Sequence, residues 1–294
     1  MQSTSKSISK GSPLEPPNEI APTSVFRLSQ QHLDLLETCP RKFQQVFLER
    51  LNAPLSPERQ ESLAAGSRFH LLMQQRELGL PIESIVKTDD RLDGWLNDFI
   101  AAAPDILTPD LTQAEAVFRQ AEHDRILSYL GFVLSARYDL LVGDDRQAQI
   151  LDWKTYPRPQ NSNRLAQHWQ TRLYPYLLAE TSNYEPEQIS MTYWFVRSAG
   201  QQAEVREPQC HHFPYSRTQH QQTHQELTRL LGLLRNWLRD YQKGKPFPST
   251  RESRGSCPVC QPPTESRASS LTNFDGEPVV VDLTNVSAIP EIQL

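Results

Sequence analysis

The chain has 294 residues, of which 37% are hydrophobic and 22% charged, with a formal net charge of −5 at neutral pH. These values fit a soluble globular chain holding one large domain or two small ones. They exclude a protein coated in positive charge, so any contact with nucleic acid must come from a local basic cleft. No apolar run approaches the roughly 18 residues a membrane span needs, and the N-terminus lacks the regions of a secretory signal, so a cytoplasmic protein with no membrane partner is expected. The four cysteines, at 39, 210, 257 and 260, are too few and too uneven for a disulfide framework. In a reduced cytosolic chain the CxxC pair favours metal or redox chemistry.

Residues 1–24 are rich in Ser, Pro and Lys without apolar periodicity, and are expected to form a disordered arm. Ser29 predicts the start of a helix with Leu33 and Leu36 on one face; Pro40 ends it before a second short helical run, RKFQQVFLERL. A longer helix is predicted over about 59–78, stopped near Gly79, and a shorter one carries Leu92, Trp95, Leu96, Phe99 and Ile100. After Asp110 the pattern changes. EAVFRQ, RILSYL, FVLSARYDLLV and QAQILDWKTY are short apolar or alternating runs separated by turn residues, and read as strands of one antiparallel meander. A helix over 163–180 follows, with Leu165, Trp169, Leu173 and Leu177 at helical spacing, then the strands ISMTYWFVRS and AEVREPQCHHF. A long amphipathic helix over 214–243 ends at Gly244. From Ser249 the chain is rich in Pro, Ser and Arg, apart from CPVC and a terminal apolar stretch read as a candidate edge strand.

The chemistry centres on RYDLL and ILDWKTY. Residues two apart on a strand share a face, so Asp152 and Lys154 lie side by side while Trp153 points away, and Asp139 on the preceding strand can share their mouth. Phosphodiester hydrolysis needs a divalent cation to offset charge and lower the pKa of a bound water, and hard cations prefer carboxylate oxygens. Asp139 and Asp152 supply such oxygens. Lys154 is a compact cation suited to holding the attacking water and stabilising a crowded phosphate. On its own a D-x-K triplet is weak, since most are strand ends with an exposed lysine.

The surroundings strengthen it. LSQQHLDLLETCPRKFQQVFLERL resembles the opening helix of RecB and AddB nuclease domains, and GSRFH resembles their Gly-x-x-x-His motif. LGFVLSARYDLL, LDWKT and QTRLYPYLLAE resemble, in order, the segment delivering the first aspartate, the D-x-K signature and the Gln-x-x-x-Tyr motif. The resemblance is to the RecB-like branch of the PD-(D/E)XK nuclease superfamily. It implies an α/β fold of the PD-(D/E)XK, restriction-endonuclease-like type, with a mixed central sheet of four or five strands flanked by helices. It implies a domain over residues 25–248, followed by a largely irregular, cysteine-containing tail over 249–294. It further implies Mg²⁺ or Mn²⁺ held by His70, Glu115, Asp139, Asp152 and the Trp153 carbonyl. Gln170 and Tyr174, one turn apart, would face the DNA and Lys154.

Many members of that branch bind an iron–sulfur cluster through one N-terminal and three C-terminal cysteines. Cys39, Cys257 and Cys260 stand where three of those ligands would be, with no cysteine after Cys260, so the expectation is a cluster that has been lost; Cys210 with His211 and His212 is a candidate replacement, or part of a zinc site. The sequence lacks GxxxxGK[ST], GxSxG and HExxH, so ATP hydrolysis is not expected, and any helicase partner would be a separate subunit. The predicted activity is metal-dependent DNA cleavage, exonucleolytic or single-strand directed, in repair or recombination. The alternatives are a degenerate DNA- or partner-binding module and a CRISPR-associated exonuclease-like protein.

Overall fold

The computed structural model describes residues 26–51, 54–87, 89–103, 118–157, 162–197 and 209–249. The expected N-terminal arm, Glu115, Cys257, Cys260 and the terminal apolar stretch lie outside the described residues. The fold is α/β, with a mixed six-stranded sheet between two helical layers.

Strand β1 (Arg27–Leu28) leads into α1 (Gln30–Thr38). Ser29 is the N-cap of α1, and its own amide donates to Nδ1 of His32 at 3.1 Å, closing a capping box in which histidine takes the place usual for Glu or Gln. Helix α2 (Pro40–Phe43) begins on Pro40, where a missing amide costs nothing, and runs into a π turn over Gln44–Leu48. The expected second helical run is thus one helical turn followed by one π turn. Helix α3 (Pro57–Glu77) is capped by Ser56 and ends before Gly79 at φ +66°; α4 (Glu83–Val86) and α5 (Asp90–Ala102) follow.

Strands β2 (Phe118–Tyr129) and β3 (Phe132–Gly143) form a long hairpin closed by Leu130 and Gly131, with φ +51° and +82°. Positive φ at both turn residues matches the twist of the strands. The part of β2 within the described residues is therefore continuous, where the sequence suggests two runs broken at Ala-Glu-His-Asp. Strand β4 (Ala148–Pro157) completes the expected antiparallel meander. Helices α6 (Ser162–Gln167) and α7 (Trp169–Glu180) then cross over to β5 (Ile189–Arg197), which runs parallel to β4. The edge strand β6 (Gln209–Pro214) pairs antiparallel with β5, and α8 (Arg217–Gln242) closes the fold before Gly244 at φ +81°.

The larger core packs α1, α7 and α8 against one sheet face through Leu33, Leu36, Trp169, Leu173, Leu177 and Leu231. The smaller packs Phe69 and Leu72 of α3 and Phe99 of α5 against Leu140, Leu151 and Trp153 on the other. Side-chain alternation along β3 changes phase in the middle: Leu134, Ala136 and Tyr138 join the larger core, Leu140 the smaller and Leu141 the larger again. Asp139 sits at that change of phase.

Candidate active site

Strands β3 and β4 pair from Gly143↔Ala148 to Leu140↔Leu151 and then part, while β4 stays paired with β5 through Asp152↔Tyr193 and Lys154↔Phe195. Asp139 and Asp152 are the first residues past the fork, and both are buried. The Asp139 carboxylate replaces the missing ladder partner: Oδ2 accepts the Trp153 amide at 2.6 Å, and Oδ1 lies 3.1 Å from Nδ1 of His70.

His70 reaches this point because α3 lies close against β4. A Cβ on Gly66 would come within 2.9 Å of Thr155 Oγ1, so a larger residue there would force Thr155 or the helix to shift. At its far end α3 is clamped to β2 by a bidentate ion pair from Arg119 to Glu77, at 2.7–3.0 Å.

On the other wall, Asp152, Lys154 and Gln170 close a ring. Gln170 Nε2 donates to Asp152 Oδ1 at 2.5 Å, and Lys154 Nζ donates to Gln170 Oε1 at 2.8 Å. Nζ also pairs with Asp152 Oδ2 at 2.6 Å, so the ammonium bridges Asp152 and Gln170. Tyr174, one turn beyond Gln170, is buried beneath the site, its ring 5.2 Å from that of Tyr138.

The structure adds a residue that the sequence reading passed over. Glu122 on β2 lies opposite Asp139, between the pairs Ala121↔Leu140 and His123↔Tyr138, and is itself left out of the ladder at φ +49°. Such a backbone is uncommon for a residue with a side chain, and strain of this kind gathers at functional sites. His70, Glu122 and Asp139 each offer a ligand atom, all within 4.8 Å of one another. The signal was available in the hairpin: counting pairs outward from Leu130-Gly131 sets 122 against 139.

The electrostatics are those of carboxyls crowded together in a buried site. Burial raises the Glu122 carboxyl, helped by the Asp139 charge, to about 7. Asp152 is pushed up to about 6 by burial and by Asp139, with Lys154 opposing. Burial works against a charge on His70, but the field of Asp139 and its hydrogen bond outweigh burial and raise it to about 9. Lys154 is also raised, because Asp152 overcomes the cost of burying it. Crowded carboxyls beside a histidine, with ligand atoms within 4.8 Å of one another, are a donor set that suits a hard divalent cation.

The fold thus brings His70, Asp139, Asp152, Lys154, Gln170 and the Trp153 backbone to one fork, with Tyr174 beneath. Cys39 is elsewhere: it is buried at the junction of α1 and α2, where its Sγ accepts the Lys42 amide at 3.4 Å. Cys210 is exposed on β6. The chain after α8 returns to the Cys39 corner, where Phe247 stacks on Phe43 and donates its amide to Gln44 Oε1 at 2.6 Å.

The family model of the PD-(D/E)XK nuclease superfamily matches residues 27–263. The chain belongs to that superfamily. Members of the superfamily generally use divalent metals, and the donor set at the fork of β3 and β4 is of the kind that holds one. Solved structures similar to the chain include two at 11% identity. One is a crystallised protein from Eubacterium rectale provisionally named an exonuclease, with a TM-score of 0.49 over 88% of this chain and 99% of that one. The other is described as SSO0001, with a TM-score of 0.33 over 70% and 73%. No curated protein matches the chain.

Proposed function

We propose that this superfamily member is a DNA nuclease of the RecB-like branch that hydrolyses phosphodiester bonds with Mg²⁺ or Mn²⁺. The observation that carries the reading is the closed ring of Asp152, Lys154 and Gln170 facing Asp139 and His70 across the fork. Asp139, Asp152, His70 and Glu122 would hold the cation, with the Trp153 carbonyl as a further donor; Glu115, given that role by resemblance, lies outside the described residues. The bound cation supplies charge that neutralises phosphate oxygens and acidifies water.

The chain's own groups do the rest. Lys154 presents its ammonium beside Asp152, where it can orient a water and stabilise charge building on the phosphate. Gln170 fixes the distance between Asp152 and Lys154 by holding one with each end of its amide. Tyr174 is kept neutral by burial, its phenol held well above the usual range with the charges of Asp152 and Asp139 adding to the effect, and so serves as a support and not a base.

We take residues 25–248 as the nuclease domain, acting in the cytoplasm in repair or recombination, exonucleolytically or on single strands, with any helicase on a separate subunit. Among the described residues no helix is long and apolar enough to cross a membrane. Cys39, Cys257 and Cys260 are one short of four cluster ligands, and Cys39 serves as the N-cap of α2, so the proposal includes no iron–sulfur cluster. Lys154→Ala tests the assignment: turnover of labelled DNA should fall by at least about 100- to 1000-fold with DNA affinity nearly kept. Unchanged turnover removes Lys154 from the reaction.

A further inference from the structure

We propose that Tyr156 is a stacking platform for an unpaired base next to the scissile phosphate, which makes single-stranded DNA or a frayed end the substrate; this rests on the nuclease reading above. Tyr156 follows Lys154 by two residues on β4, a distance of about 6.6 Å along a strand, which is a single nucleotide's reach from the ammonium. It is 43% exposed, against 2% or less for Trp153, Tyr193 and Phe195 around it.

The backbone turns the ring toward the site. The β4–β5 register is regular to Lys154↔Phe195 and shifts by one residue before Pro157↔Arg197, so a bulge falls at Thr155 and Tyr156. Bulges beside active sites re-aim side chains. In-register partners of parallel strands share a face, so Asp152, Tyr193, Lys154 and Phe195 all point to the same side. Tyr156 joins them: its ring stands edge-on to Phe195 with centroids 5.7 Å apart, and Phe195 is edge-on to His211 at 5.9 Å. Lys154 Nζ lies 5.1 Å from the centre of the Tyr193 ring on the same face.

The ring is therefore held from behind by a packed aromatic while remaining open to solvent in front. Among the described residues its hydroxyl has no hydrogen-bond partner, so the ring is what the site presents. A cation followed by a fixed open aromatic is the arrangement that binds single strands, in which phosphate meets charge and a base meets a π face. Bases inside a duplex already stack on each other and offer no free face to a side chain.

The test uses the full chain and single-stranded oligonucleotides carrying a fluorescent adenine analogue, bound in Ca²⁺ and then cleaved in Mg²⁺. Tyr156→Ala should weaken binding and raise KM by about 5- to 150-fold, the range expected for one stacked base, with kcat changed less than about threefold and the analogue's quenching lost. Tyr156→Phe should restore most of both. An abasic unit walked along the strand should cost wild type at one position and cost Tyr156→Ala nothing further there. Unchanged affinity and quenching in Tyr156→Ala, or an equal loss in Tyr156→Phe, would overturn the proposal. A wild type that binds and quenches without cutting would sink the nuclease reading and leave the stacking role standing; one that cuts while Tyr156→Ala behaves identically would do the reverse.

Discussion

At the scale of single residues, strand geometry makes Asp152 and Lys154 neighbours and one hairpin connection brings Asp139 beside them, forming the proposed catalytic triplet. Glu122 meets that triplet only through strand pairing. The charged stretch around it looks like a turn between two short strands, and only an unbroken β2 sets it across from Asp139. Its assignment predicts that Glu122→Gln weakens Mg²⁺ affinity by about 10- to 100-fold, measured by calorimetry; an unaltered affinity would return it to a structural role. The titration of the site gives a second expectation. Asp152, Glu122 and His70 all hold their protons to higher pH in the fold than in the unfolded chain. The metal-free protein thus binds excess protons, and the stability they contribute is full at low pH and lost as pH rises through about 6, 7 and 9 in turn. The unfolding midpoint without metal should fall between pH 5 and 8.5, and the gain from Mg²⁺ should grow over that interval as ligand deprotonation becomes easier. A flat profile in both states would contradict these shifts.

At the scale of elements, helix starts and stops were readable where one local residue sets them: Ser29, Gly79 and Gly244 all fall at the boundaries they suggest. Boundaries set from a distance were not. The apolar spacing Leu165, Trp169, Leu173, Leu177 runs unbroken across the division between α6 and α7, because the amide of Trp169 is taken by Asp34 of α1 at 3.1 Å, a partner 135 residues away. The π turn after α2 and the two-residue β1 likewise depend on tertiary contacts. The clamp of α3 to β2 belongs to this scale. Arg119 and Glu77 are 17% and 10% exposed, so Arg119→Met strips a largely buried carboxylate of its bidentate partner, with an expected cost of about 3 kcal/mol in denaturant unfolding. Because the clamp fixes the helix carrying His70 relative to the strand carrying Glu122, Mg²⁺ affinity should fall with it. A variant as stable as wild type would show that the pair contributes little.

For the whole molecule, the net charge of −5 leaves action on a polyanion to the groups gathered at one place in the superfamily fold. Two helical layers cover the sheet, and among the described residues the candidate groups meet where β3 and β4 part. The mixed sheet and flanking helices were readable from the order of patterns; the fork was not, since it arises from which edge of β3 each neighbour takes. The proposed cation would tie β2, β3 and α3 together through Glu122, Asp139 and His70, so Mg²⁺ at about 100 times its Kd should raise the unfolding midpoint by about 5 to 11 °C, and Asp139→Ala should abolish that rise. The most direct test of the central claim is Mg²⁺- and Mn²⁺-dependent cleavage of labelled single- and double-stranded DNA by wild type beside Asp152→Ala. Metal-dependent cutting by wild type, lost in the variant, is the predicted result; folded wild type that cuts neither substrate with either metal, or Asp152→Ala that cuts as well as wild type, would contradict it.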